Sequence, residues 1–157
     1  MQKWAQFSAD QRHRFTLGRR WDPMLPTLGF VMLNPSTADA DKNDPTIIRD
    51  IGFADRLGFG GIVVGNLFSY RATKPADLRQ AGYPVHRDDD EMLERIMCQV
   101  RTVVCGWGAN PVPEERVDRV MGIIRGTGVE VKCLGRTKRG APRHPLFVPY
   151  SQALEDF

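Results

Sequence analysis

Four short apolar runs punctuate the chain, with longer amphipathic segments between them. Leu28 to Leu33 (LGFVML), Gly61 to Phe68 (GIVVGNLF) and Thr102 to Trp107 (TVVCGW) are nearly continuous in large apolar side chains. That is the pattern of strands buried on both faces. Val129 to Leu134 (VEVKCL) places Glu130 and Lys132 on alternate positions and predicts a sheet edge with one wet face. The intervening segments carry helical spacing. Asp44-Pro45 precedes Thr46 to Leu57, with an acidic N-cap, proline at the first helical position and Gly58 as the stop. Ile47, Ile48, Ile51, Ala54 and Leu57 form its apolar face. A second helix runs from the acidic Asp88-Asp89-Asp90 through Glu91 to Val100, with a stripe of Met92, Leu93, Ile96, Met97 and Val100. A third covers Pro113 to Arg125 and stops at Gly126.

Strands alternating with helices imply parallel strands joined by right-handed crossovers. The expectation is a single domain over residues 1–157: an α/β chain built as a three-layer α/β/α sandwich around a mostly parallel four-stranded sheet. Arg12 to Trp21 (RHRFTLGRRW) alternates loosely, with His13, Phe15 and Leu17 set against Arg12, Arg14 and Thr16, and predicts an extra N-terminal strand packed on the first core strand.

Composition narrows the class without naming a task. The chain of 157 residues has 22 basic and 19 acidic side chains and is 41% hydrophobic, which excludes collagen-like, disordered and disulfide-scaffold proteins. Cys98, Cys105 and Cys133 form no C-x-x-C pair, and the last two sit in apolar runs as small buried hydrophobes. No apolar stretch approaches the ~18–20 residues of a membrane span, and Met1 to Asp10 lacks the apolar core of a secretory signal. No membrane partner and a cytoplasmic location are therefore expected.

In an open parallel sheet, ligands bind beyond the carboxyl ends of the strands. Asn34-Pro35-Ser36-Thr37-Ala38-Asp39 comes after the first run, and Asn66 to Thr73 closes and extends the second. Gly106-Trp107-Gly108 ends the third, and Gly135 to Leu146 comes after the fourth. Asn34, held extended by Pro35, binds a ligand edge or positions a water; alternatively it starts a turn on its own backbone. Asn66 offers a donor and an acceptor to a planar base, or satisfies backbone groups at the sheet end. Tyr70, Phe68 and Trp107 stack on a flat ring or pack in the core. Asp39, Asp41 and Asp44 orient water or bind a cation, or are loop acids and a helix cap. Arg71, Lys138, Arg139 and Arg143 hold phosphate or form a solvated basic rim. His144, beside Pro145, is the best acid or hydrogen-bond donor in the chain, with His13 and His86 in weaker contexts.

The motifs LNPSTAD (Leu33 to Asp39), Asp44-Pro45-Thr46, Asn66-Leu67-Phe68, Tyr70-Arg71-Ala72-Thr73, Gly106-Trp107-Gly108 and His144-Pro145-Leu146 resemble those of domain-of-unknown-function family 1643. More distantly, the order "strand, Asn-Pro; strand, Asn; strand, Gly; strand, His-Pro" is similar to the uracil-DNA glycosylase superfamily. That resemblance implies Asn34 as the residue that positions the attacking water and Asn66 as the reader of the base. It implies His144 as the stabiliser of the departing base anion. Ser36, Asp39, Tyr70, Arg71, Trp107, Lys138 and Arg143 complete the candidate substrate contacts. The implied partner is a nucleobase, a nucleotide or DNA, and the reaction, where there is one, is hydrolysis of an N-glycosidic bond without metal or organic cofactor. The superfamily continues His-Pro with Ser and a DNA wedge, whereas this chain has Leu146-Phe147, either of which is a candidate wedge or a core residue. A catalytically silent binding module, or an enzyme of free modified nucleotides, remains the alternative.

Overall fold

The apolar runs become the parallel middle of one sheet. The computed structural model describes residues 1–157 and contains β1 (Gln2–Phe7), β2 (Arg14–Arg20), β3 (Thr27–Met32), β4 (Gly61–Asn66), β5 (Thr102–Cys105), β6 (Glu130–Cys133) and β7 (Glu155–Asp156). Their order across the seven-stranded sheet is β1-β2-β4-β3-β5-β6-β7. β4, β3, β5 and β6 run parallel, while β1, β2 and β7 add antiparallel pairings at the two ends. The sheet is therefore mixed and wider than the expected four strands plus one. The extra N-terminal strand, β2, pairs with β4 and not with the first core strand. β6 is not an edge, because β7 lies against it and Asp156 takes the Lys132 ammonium at 2.6 Å.

Successive side chains along a strand point to opposite faces, so each buried strand feeds two cores. Phe30 and Met32 join Ile62, Val64 and Val104 on one face, under Ile47, Phe53 and Ala54 of α1 (Pro45–Arg56). Val31, Val63, Val103 and Cys105 face the other way. There they meet Leu78 of α2 (Pro75–Gln80), Leu93, Ile96 and Met97 of α3 (Asp89–Met97), and Val120, Met121 and Ile124 of α4 (Glu114–Gly126). Each of these large side chains, removed from water, contributes about 1.5–3 kcal/mol. Helix boundaries reflect local chemistry. Asp44 caps α1 by accepting the Ile47 amide at 2.9 Å on Oδ1, with Pro45 at the first helical position.

β1 and β2 together decide where the Arg14 side chain goes. Trp4 lies flat on Gly18, where any Cβ would come within 2.0 Å of the indole, so glycine is required there. The β1–β2 ladder also slips: Gln6 pairs with Thr16 but Phe7 pairs with Arg14, leaving Phe15 opposite no residue. Such a bulge re-aims the side chains beyond it. Simple alternation from Leu17 would put Arg14 on the face opposite α1. The bulge brings it back to the α1 side, where its Nη1 donates to the Ala38 carbonyl at 2.8 Å.

Candidate functional site

A cavity of about 680 Å³ opens at the carboxyl ends of the parallel strands. It is lined from several elements at once. β2 contributes Arg14, and β4 contributes Asn66. Met32 and the segment after β3 contribute Asn34 and Ser36, and the turn after β5 contributes Trp107. Arg143 and His144 come from the segment after β6, and the start of α1 closes one wall with Asp44 and Thr46. The size suits a small organic ligand with a few fixed polar groups.

The carboxamides behave differently from each other. Asn34 donates through Nδ2 to the carbonyls of Ala72 (2.8 Å), Pro35 (3.1 Å) and Tyr70 (3.4 Å). Its amide nitrogen thus ties the loop after β4 to the loop after β3, and its Oδ1 makes no hydrogen bond within the protein. Asn66 is buried, and neither Nδ2 nor Oδ1 has a partner. A buried amide with both ends unspent is rare in a folded protein. Here it faces a cavity, where a ligand edge can take both bonds.

His144 enters through the rigidity of its neighbours. Pro145 begins a short 3₁₀ turn, and the His144 Nδ1 accepts the Leu146 amide at 3.2 Å. In the neutral ring the proton is then on Nε2. Burial holds the imidazole below its ordinary pKa, with Asp44 pulling weakly the other way, so the neutral form is favoured. The Gly106-Trp107-Gly108 motif explains how this segment reaches the cavity. A Cβ on Gly106 would stand 2.9 Å from the Pro145 ring and 3.1 Å from the Met32 sulfur. Gly108 has φ +81°, with His144 Cβ close against it. Both glycines make room for His-Pro.

Alternation along β2 sets Arg14 apart from Leu17, on the face away from α1; the structure buries it on the α1 side. Its only side-chain hydrogen bond is the one to Ala38, Nε is buried without a partner, and no carboxylate lies within ion-pair distance. Burial pushes its pKa down to about 10. Beneath it Asp50 of α1 is fully buried with both oxygens unpartnered. Burial, reinforced by Asp44, raises the Asp50 carboxyl well above the usual range and so favours its neutral form.

Of the candidates read from the sequence, Asn34, Ser36, Asp44, Asn66, Trp107, Arg143, His144, Leu146 and Phe147 line this cavity. The others do not. Tyr70 packs edge-on against the His13 ring, and Arg71 lies over Phe7 and donates to the Gln11 carbonyl. Asp39 accepts the Asp41 and Lys42 amides in its own loop. Lys138 is exposed on a turn outside the lining. Phe68 is core, whereas Trp107 serves both core and cavity wall. No three His, Cys, Asp or Glu side chains gather as a metal set requires. No helix is long and apolar enough to cross a membrane.

Sheet order and cavity together define a mixed α/β protein with a cavity where its parallel strands end. The chain belongs to the family of proteins of unknown function DUF1643, whose model matches residues 14–146. No curated protein and no solved structure matches it.

Proposed function

We propose that the cavity recognises a nucleobase, free or in a nucleotide or DNA, and cleaves its N-glycosidic bond on a layered α/β scaffold of the uracil-DNA glycosylase-like type. The observation that carries this reading is Asn66: a buried carboxamide with donor and acceptor both unspent, facing a cavity shared with Asn34 and His144. An amide's paired donor and acceptor match the edge of a planar base. Trp107 gives that base an aromatic wall. In the reaction, a water oxygen bonds to the anomeric carbon while the C–N bond breaks with its electron pair on the base. The neutral His144 donates from Nε2 to the base as it gains negative charge, the kind of stabilisation that acts most strongly in a water-poor site. Asn34 orients the water through its free Oδ1. An amide is not a base, so the water's proton goes to the departing base or to solvent. Arg143 adds a cation to the cavity wall, and exposed Phe147, its ring 5.7 Å from His144, covers the mouth or acts as the wedge.

A second reading, a catalytically silent binding module, draws support from Asn34, whose Nδ2 is committed to loop carbonyls. One assay separates the two: base release from damaged-base oligonucleotides and free nucleosides and nucleotides, alongside equilibrium binding. The glycosidase reading expects release that disappears in Asn34→Ala/His144→Ala. Release that survives the double variant overturns the roles given to these residues. Binding without release from any substrate establishes the silent module.

A further inference from the structure

Three arginines are buried in this protein, and they are not treated alike. Arg19 is fully enclosed and spends its donors on the carbonyls of Gly18, Asp39, Lys42 and Trp4 and on the Asn43 Oδ1. Arg116 donates to the Leu67 carbonyl and pairs with Asp90 at 2.6 Å. Arg14 makes one bond to a carbonyl and keeps the rest of its guanidinium unspent beside a cavity. No nearby acid pairs with it directly, and Asp44 acts on it only through space. Both Asp44 oxygens are engaged by the amides of Ile47 and Ala38 at the start of α1, and neither oxygen of Asp50 has a partner. A buried charge without a partner costs several kcal/mol, and a protein retains one only where something repays it.

Position adds a second reason. β2 and β4 are adjacent strands, so Arg14 stands one strand spacing from Asn66 at the same end of the sheet. His144 and Arg143 enter from the far side, after β6. At the Asn66 end, Asn66 Nδ2 and the Arg14 guanidinium offer unspent donors, whereas the oxygens of Asp44, which also lines the cavity, already accept the Ile47 and Ala38 amides. The matching ligand edge is rich in acceptors and carries negative charge.

We infer that the ligand of this cavity bears an oxyanion, either a carboxylate on the ring or a phosphate, that seats on Arg14 beside Asn66. It rests on the reading that the cavity takes a base-like ring, and it makes the preferred ligand a small anionic molecule able to bring its charge to buried Arg14. A guanidinium holds carboxylate or phosphate with paired, charge-assisted hydrogen bonds, which a neutral ring cannot match.

The test is titration calorimetry at fixed ionic strength with two matched pairs, uracil against orotate and uridine against uridine 5′-monophosphate, together with inorganic phosphate. The expected result is that the anionic member of at least one pair binds about tenfold tighter or more. The pair that shows it distinguishes carboxylate from phosphate. Arg14→Gln removes the advantage, while Lys138→Gln, outside the cavity, leaves it. If Arg14→Gln fails to fold, Arg14→Lys carries the test: it keeps the charge, loses the fork, and lowers the advantage severalfold. Equal binding within both pairs overturns the oxyanion and leaves the base reading standing. An advantage that persists in a folded Arg14→Gln overturns the assignment to Arg14. Arg14-dependent binding of phosphate alone, with no ring bound, keeps the oxyanion and overturns the base reading. No binding by any probe overturns both.

Discussion

Asn66→Leu should make the ligand-free protein more stable while destroying its recognition of ligand. Asn66 has both amide heteroatoms buried and unpartnered at the end of β4. Leaving a buried polar group unsatisfied costs about 1–3 kcal/mol, and leucine keeps the branched shape without that cost. For a chain of this length each kcal/mol moves Tm by about 2–4 °C, so a rise of several degrees is expected. Asn34→Leu supplies the opposite sign. It removes the donations to Pro35, Tyr70 and Ala72 and leaves those carbonyls to find other partners, lowering stability by about 1–3 kcal/mol. Urea and thermal melts of the two variants, without ligand and at one pH, make the comparison. An unchanged urea m-value with a shifted midpoint would show that stability, and not compactness, has moved. If Asn66→Leu loses a kcal/mol or more, the amide is serving the fold and the central argument for the site collapses.

Two further predictions concern groups around the cavity. The folded-state pKa of Asp50 is raised above its ordinary 3.8, so its contribution to stability is complete below that value and is lost as pH rises through the folded pKa. Asp50→Asn should therefore flatten the decline in stability on going from acid to neutral pH, gaining most at neutral pH. Parallel wild-type and variant pH profiles would refute the buried neutral acid. Gly106→Ala must displace Pro145 or Met32, because its Cβ would meet both closer than packed atoms tolerate. Ligand affinity should fall about tenfold or more as His144 moves, since small misplacements of a positioned group are costly, while the far-UV circular dichroism stays native. Wild-type affinity in Gly106→Ala would detach the glycine motif from the site.

The parts of this structure that are legible in the sequence are those whose signal is local. The three continuous apolar runs form β3, β4 and β5 because a strand covered on both faces needs apolar residues at every position. Asp44-Pro45 announces α1 because capping is settled within one turn. Reading the residues at the carboxyl end of each run brings Asn34, Asn66, Trp107 and His144 together, since all parallel strands end on the same side. β1 (QKWAQF) escapes such a reading because an edge strand needs little burial and shows little pattern, and β7 is two residues long. Arg14 is misplaced by alternation because a bulge depends on pairing with β1, and a count along one strand cannot register it. Tyr70, Arg71 and Lys138 show the same limit. Nearness to a strand end does not fix a direction, and none of the three side chains lines the cavity.

The hairpin of β1 and β2 joins the sheet by one ladder alone, to β4, yet it supplies Arg14. An edge hairpin of this kind opens locally at a lower free energy than the parallel centre. Whatever binds Arg14 holds that hairpin closed. Occupancy should then be recorded in slower amide hydrogen exchange along β1, in residues that never touch the ligand, and the protected segment would trace how far one buried charge couples an exposed edge to the cavity.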